Sequence, residues 1–320
     1  MIQDKKILLT GGAGFIGTKL CSLLSDNNEI LIYDNLKRNS IKDTDLLNKS
    51  NITLNQGDIL DFNHIKSVVD EFKPNVVIHL AAVAGIDTVI KSPVNTMKVN
   101  MIGTYNILEA VREHKIYRFI DFSTSEVFGS YAYKVDEQHT TNLAPVGEAR
   151  WTYSVSKLAG EHLAHSYYKE YDMPVVTIRP FNIYGAGQVG EGAIHQFAVR
   201  AIKNEEIQIH GDGDQIRSWC YIDDFVDGII LCLEKKNAIG NAFNIGNPRG
   251  TVTISMLAQL IKRIANSKSK VVYIPKNYVD VELRIPNIDK AKEILGYDPK
   301  YDLAEGLEKT IEWYRGVIND

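Results

Sequence analysis

Short apolar runs alternate with amphipathic stretches along the first half of the chain. "KILLT" (6–10), "EILIYD" (29–34), "ITLNQGD" (52–58), "NVVIHLAA" (75–82), "RFIDFSTS" (118–125) and "PVVTIRP" (174–180) are near-continuous apolar runs. Such runs predict strands buried on both faces. Between them, "GTKLCSLLSDN", "FNHIKSVVDEF" and "VNMIGTYNILEAVREH" repeat apolar residues at helical spacing. This alternation predicts an α/β domain: a doubly wound parallel sheet with helices on both faces and its ligand at the carboxyl ends of the strands.

After Pro180 the rhythm changes. "NIYGAGQVGEG" (182–192) reads as a glycine-rich loop. "IHQFAVRAIKNEEI", "YIDDFVDGIILCLEKK", "SMLAQLIKRIAN" and "LAEGLEKTIEWYRGVI" read as helices, and "NAFNIGN" as a strand. "IQIHGDGDQIRSWCYI" reads as short strands around a "GDGD" turn. The expected organisation is a first domain over residues 1–180, to which 220–246 returns, and a smaller α/β domain over 181–320. No internal repeat or low-complexity linker separates them.

In "ILLTGGAGFIG" a predicted strand runs straight into Gly11, Gly14 and Gly17, and a helical pattern follows. Glycine permits the tight turn and close backbone approach to a pyrophosphate, which the helix N-terminus then attracts. Asp34 ends the next strand, where an acidic side chain accepts hydrogen bonds from a ribose diol and repels a 2′-phosphate. This favours NAD over NADP, although Arg38 follows closely. Asp58 and Ile59 after the third strand are candidate adenine contacts. Leu80, Ala81 and Ala82 end the fourth with residues small enough for backbone to lie against a cofactor. His79 reads as a satisfied core histidine.

Composition narrows the classes. A net charge of -4 offers no basic field for nucleic acid or an acidic membrane. No apolar run approaches the roughly 18 residues of a membrane span. The N-terminal "ILL" is too short for a signal-peptide core. Cys21, Cys220 and Cys232 lack metal-site or disulfide spacing, so no metal is expected and a reducing cytoplasm fits.

"RWTYSVSKLAG" sets Tyr153 and Lys157 one helical turn apart, and "FSTSEVFG" brings Thr124, Ser125 and Glu126 to the end of the fifth strand. A phenol of ordinary pKa near 10 is a poor base at neutral pH. A lysine ammonium and a positive nicotinamide ring both favour its ionised form. Tyr153 is then the base for a sugar hydroxyl, with Thr124 hydrogen-bonding the same oxygen.

Together "TGGAGFIG", "HLAA", "STSEVFG", "YSVSK" and "RPFNIYG" resemble the extended short-chain dehydrogenase/reductase family of NAD-dependent nucleotide-sugar epimerases, dehydratases and decarboxylases. The resemblance runs from Lys6 to about Tyr314. It implies a Rossmann-type fold with tightly held NAD and a homodimer built on a four-helix interface. The helices containing "GTYNILEAVREH" and "YSVSKLAGEHLAHSYY" match those interface helices. Besides the glycines, Asp34, Asp58, Ile59 and Leu80–Ala82, it implies cofactor contacts at Phe15, Ile16, Asn35, Asn100, Tyr153, Lys157 and Pro180. Substrate contacts are implied at Ser125, Glu126, Asn182, Arg217 and Arg284, the last on the substrate diphosphate.

Family members oxidise the sugar at carbon 4 and then diverge. Simple epimerases need no glutamate beside the threonine, whereas dehydratases and UDP-glucuronate decarboxylases carry one, as Glu126 does here. "GEARWTYSVSK" and "DVELRIPNIDKAKEILGYDP" are similar to bacterial UDP-glucuronate decarboxylases, and Ser218 follows Arg217 where dehydratases usually have aspartate. Arg217 can face a carboxylate or a phosphate. The expected function is a 4-keto-forming lyase that expels carbon dioxide or water from a nucleotide sugar, UDP-linked by resemblance. A 4-epimerase is the nearest rival. A catalytically silent NAD-binding sensor or scaffold would usually have lost Tyr153 or Lys157. A dehydrogenase using free NADPH is opposed by Asp34 and the long C-terminal half.

Overall fold

The computed structural model describes residues 2–143, 145–276 and 278–319. In chain order its strands are β1 (Lys6–Thr10), β2 (Glu29–Asp34), β3 (Ile52–Gln56), β4 (Val76–His79), β5 (Arg118–Phe122), β6 (Tyr131–Val135), β7 (Val175–Pro180) and β8 (Ile183–Tyr184). There follow β9 (Ile207–His210), β10 (Ile216–Ser218), β11 (Cys220–Tyr221), β12 (Ala242–Ile245), β13 (Thr251–Thr253), β14 (Val271–Ile274) and β15 (Leu283–Pro286). Seven of them form a parallel sheet in the order β12-β7-β5-β4-β1-β2-β3. The order reverses between β1 and β4, and a crevice opens at their carboxyl ends, where open α/β sheets bind ligands.

The sheet explains the unbroken apolar runs. Successive side chains point to opposite faces, and both faces are covered. Ile7, Leu9, Ile32, Ile78, Ile120 and Ile178 join one core. Their neighbours Leu8, Leu31, Val77, Phe119 and Val175 join the other. The strands are shorter than the runs that predict them. Leu80–Ala82 and Ser123–Ser125 continue their apolar or small-residue runs but lie beyond the ends of β4 and β5.

The predicted helix over 99–114 begins in a π-helical turn, Lys98–Ile102, continues as an α-helix over Gly103–Val111, and is preceded by a short helix, Pro93–Met97. The strands flanking "GDGD" form, but they do not pair with each other. β9 pairs with β14, and β10 lies between β13 and β15 in a second sheet of order β13-β10-β15-β6. The Asp212 carboxylate accepts from Asp214 N at 3.0 Å and Gln215 Nε2 at 3.0 Å, so the turn is organised locally rather than as a hairpin end. "NIYGAGQVGEG" is not all loop, since β8 within it pairs with β11. Helix Ala149–Tyr171 carries "RWTYSVSKLAG" across the end of β5. Among the described residues, no helix is long and apolar enough to cross a membrane.

Gly17 lies in helix Phe15–Leu24, where a Cβ would stand 2.5 Å from both Cα and O of Gly12. Backbone cannot yield as a side chain does. Gly17→Ala is therefore expected to cost about 1–3 kcal/mol of stability. Urea unfolding checks this, and an unchanged midpoint would show that the helix has room to move.

Candidate active site

β1 ends in a turn that only glycine can make. Gly11 has φ +69°, and a Cβ on it would lie 2.6 Å from Ala81 N. The chain leaving β1 is thus pressed against the chain leaving β4. Gly14 differs: a Cβ there would meet only Gly11 O, at 3.4 Å, and the residue faces a cavity of about 470 Å³. Gly11, Gly14, Phe15, Ile16, Gly17, Asp34, Asn35, Ile59, Leu80, Ala81, Ala82, Tyr153, Lys157 and Pro180 all line this cavity. The Asp34 carboxylate accepts Ala13 N at 3.0 Å and Leu36 N at 2.7 Å. Burial raises its pKa, and these hydrogen bonds oppose the rise.

Two expected cofactor residues do not themselves line the cavity. Asp58 is outside the cavity wall, and its carboxylate accepts Leu60 N at 3.0 Å in a local turn, leaving the wall to Gly57 and Ile59. Asn100 is fully buried behind the wall. Its side chain accepts Val83 N at 2.7 Å and donates to Val83 O at 3.0 Å and Ser156 Oγ at 2.9 Å. It fixes the chain leaving β4 to the helix of Tyr153. His79 is held between Thr10 Oγ1 at 2.7 Å and Thr104 Oγ1 at 3.0 Å, and burial, aided by Lys157, lowers its pKa to about 3. It is a neutral core residue.

Tyr153 and Lys157 face the cavity from one helix. Burial pushes the Tyr153 phenol up to about 12, and the Glu126 charge pushes the same way; a hydrogen bond with Thr124 and the charges of Arg284 and Arg38 oppose. Lys157, expected to lower this pKa, is not among these largest influences. The chain's own groups leave the phenol protonated, and Lys157 is coupled instead to Asp121 and Glu161, whose charges counter the lowering by burial. Asp121 is buried beneath the site, its pKa raised by burial to about 6.

Thr124 and Glu126 are brought together by a short 3-10 turn, Ser125–Phe128, which Thr124 Oγ1 caps by accepting Glu126 N at 3.2 Å. Ser125 is buried in that turn. The Glu126 carboxylate accepts from Arg150 Nη1 and stands 3.4 Å from Arg284 Nη1. Arg150 Nη2 reaches Asp280 at 2.8 Å, and Asp280 also holds Arg217 Nη2 at 3.2 Å. The result is an alternating chain, Arg284–Glu126–Arg150–Asp280–Arg217. Burial alone would raise the Asp280 carboxyl, but Arg150 and Arg217 hold it below its usual value. Burial lowers Arg284 to about 10. Asn182, at φ +44°, donates to Ser218 O at 2.9 Å and lies outside the cavity wall.

Sequence reasoning missed Arg150 and Asp280. Arg150 lies three residues before Tyr153 on one helix, a spacing that places both on one face and could have flagged it. Asp280 carries no such signal.

The family model for GDP-mannose 4,6 dehydratase matches residues 8–310. The UDP-N-acetyl-alpha-D-glucosaminuronate decarboxylase of Bacillus cytotoxicus is 32% identical, over 99% of this chain and 100% of that protein. The dTDP-D-glucose 4,6-dehydratase of Dictyostelium discoideum is 35% identical, over 98% of this chain and 82% of its own. The UDP-glucuronic acid 4-epimerase of Bacillus cereus, solved with UDP-glucuronic acid and NAD, superposes with a TM-score of 0.87 at 30% identity, covering 98% and 99% of the two chains. The chain belongs to the extended short-chain dehydrogenase/reductase family of NAD-dependent nucleotide-sugar epimerases, dehydratases and decarboxylases. It is an enzyme of that family, and NAD is its cofactor. The cavity fits a dinucleotide: the open space over Gly14, at the start of a helix, suits a pyrophosphate, and Asp34 suits a ribose diol.

A methyl group on Gly14 would occupy cavity space and meet the fold only at Gly11 O, 3.4 Å away. Gly14→Ala is expected to keep its unfolding temperature and lose about tenfold or more in NAD affinity by calorimetry. Unweakened binding would place the pyrophosphate elsewhere. Tyr153→Phe is expected to bind NAD normally while turnover falls about a hundredfold or more. Full turnover would remove Tyr153 as the base.

Proposed function

We propose that this enzyme oxidises a UDP-linked uronic acid at carbon 4 and then releases carbon dioxide. Glu126 supports the lyase chemistry, its carboxylate gripped by Arg150 and Arg284 within electrostatic reach of the Tyr153 phenol, and one observation, the charge around it, carries the choice of a uronic acid. Three guanidiniums (Arg150, Arg217, Arg284) accompany two carboxylates (Glu126, Asp280), a surplus of one positive charge. That surplus suits a substrate bearing an anion on its sugar as well as on its diphosphate.

NAD, when bound, takes the hydride from carbon 4, and its positive ring favours the Tyr153 phenolate. Tyr153 removes the proton from the carbon 4 hydroxyl, whose oxygen Thr124 orients. The resulting ketone lies β to the carboxylate. The carbon 5–carbon 6 bond can then break, its electron pair passing toward the ketone oxygen as carbon dioxide leaves. Glu126 manages the proton at carbon 5, with Arg150 and Arg284 holding its carboxylate in place and Ser125 contacting the sugar. Arg217, Arg284 and Asn182 complete the substrate side.

Glu126 equally supports a second reading, a 4,6-dehydratase in which it abstracts the carbon 5 proton while water leaves carbon 6. The likeness to the Dictyostelium dehydratase favours that alternative. A homodimer is part of either reading, since Val94, Ile102, Tyr105 and Val155 stay exposed on the helices that would pair. Three free, buried cysteines suit the cytoplasm.

Mass spectrometry after incubation with UDP-glucuronate and neutral UDP-sugars tests the reaction. Loss of carbon dioxide from the uronate supports the first reading, and loss of water from a neutral sugar supports the second. An isomer of unchanged mass would make the enzyme an epimerase. Glu126→Gln is expected to form the ketone with reduction of bound NAD, seen by absorbance, yet to slow the later step about a hundredfold. An unchanged product rate would take Glu126 out of the mechanism.

A further inference from the structure

The glycine-rich segment between β8 and helix Ala193–Ile202 crosses one side of the NAD cavity. Gln188 and Val189 line that cavity. Gly187, at φ +86°, lies against Phe15, with a Cβ position 3.8 Å from Phe15 Cδ2. Gly190, at φ +101°, lies against Arg38, with a Cβ position 3.8 Å from Arg38 Cζ. The segment therefore runs from the phosphate-binding turn to the loop after β2. Its middle is anchored to the C-terminal helix, where Tyr314 donates to Gln188 O at 2.7 Å.

Glu191 ties the far end down. Its carboxylate accepts Asp87 N at 2.8 Å and the Thr88 hydroxyl, and pairs with Arg38 Nη2 at 3.5 Å. Arg38 in turn donates to Ala84 O at 2.7 Å. One carboxylate thus joins three segments around the cavity: the loop after β2, the chain after β4 and the glycine-rich strap. These contacts are only partly shielded, with the Arg38 side chain 44% and the Glu191 side chain 23% exposed. Glycines at positive φ on the strap can re-orient at low cost. The arrangement is a latch that can close and reopen, not a piece of core.

We propose that Glu191 latches the strap across the cavity through Arg38 and the Asp87–Thr88 segment, and that this latch sets how long the dinucleotide stays bound. An enzyme that oxidises and then acts again on the same sugar gains from holding its cofactor between the two steps. The latch also engages Arg38, in the loop that follows Asp34, keeping it from a 2′-phosphate. Glu191 is a positioning residue: it acts through the strap and Arg38. The inference rests on NAD binding and not on which sugar reaction follows.

The test uses the full-length enzyme loaded with radiolabelled NAD and chased with excess unlabelled NAD. Glu191→Gln is expected to release label about tenfold faster, the worth of one lost charge-assisted contact. Arg38→Met is expected to do the same, and the double variant to release no faster than either single one. Release within about twofold of the native rate in both single variants would overturn the latch. Additive effects in the double variant would overturn the coupling between Glu191 and Arg38. No sugar is present in this experiment, so its failure is separate from failure of the decarboxylase reading.

Discussion

A carboxylate drawn most of the way out of water needs positive charge around it, and Glu126, partly buried, finds two guanidiniums. The need propagates. Arg150, drawn to Glu126, must satisfy its other face, which it does on Asp280, and Asp280 then recruits Arg217. Five elements are locked by these pairs: the turn after β5, the helix of Tyr153, the segment before β15, β15 itself, and β10. Removing a carboxylate would leave the buried guanidinium of Arg217 or Arg284 short of its partner, which is costly. The chain therefore fixes the geometry of Glu126 relative to Tyr153 more tightly than any single hydrogen bond could.

Beneath it lies a second set of buried polar groups that keeps the catalytic helix against the sheet. Asn100 joins Val83 to Ser156, and His79 joins Thr10 to Thr104. Arg179 grips Glu161 at 2.7 Å, and Glu161 with Asp121 faces Lys157 from below. Burial lowers the pKa of Lys157 at the cavity wall, and the charges of Asp121 and Glu161 oppose that lowering. They do not lower the pKa of Tyr153, which remains at about 12 from burial. The protein supplies position and hydrogen bonds, and the positive ring of NAD is the group suited to make Tyr153 basic.

Much of this was legible in the residues. Buried parallel strands announce themselves because both their faces are apolar, and the three glycines of the phosphate turn stand in strand–turn–helix context. Tyr153, Lys157, Thr124 and Glu126 each sit in a motif that local spacing reveals. What escaped depends on pairing between distant segments. Asp280 meets Arg150 and Arg217 only once β15 lies beside β10. Short strands such as β6 and β15 gain their identity from each other, not from their own pattern. Asp58 shows how an acidic residue after a strand serves a local turn whether or not it also meets a ligand. The π-helical turn that positions Asn100 leaves no mark in hydrophobic periodicity.

The surplus positive charge around Glu126 is the claim on which the choice of substrate turns. Calorimetry with the NAD-loaded Tyr153→Phe variant, expected to turn over about a hundredfold more slowly, measures it directly by comparing UDP-glucuronate with UDP-glucose. Recognition of the extra carboxylate predicts that the uronate binds about tenfold tighter or better. Equal affinities, or a preference for the neutral sugar, would contradict the account and mean that the arginines serve the diphosphate alone.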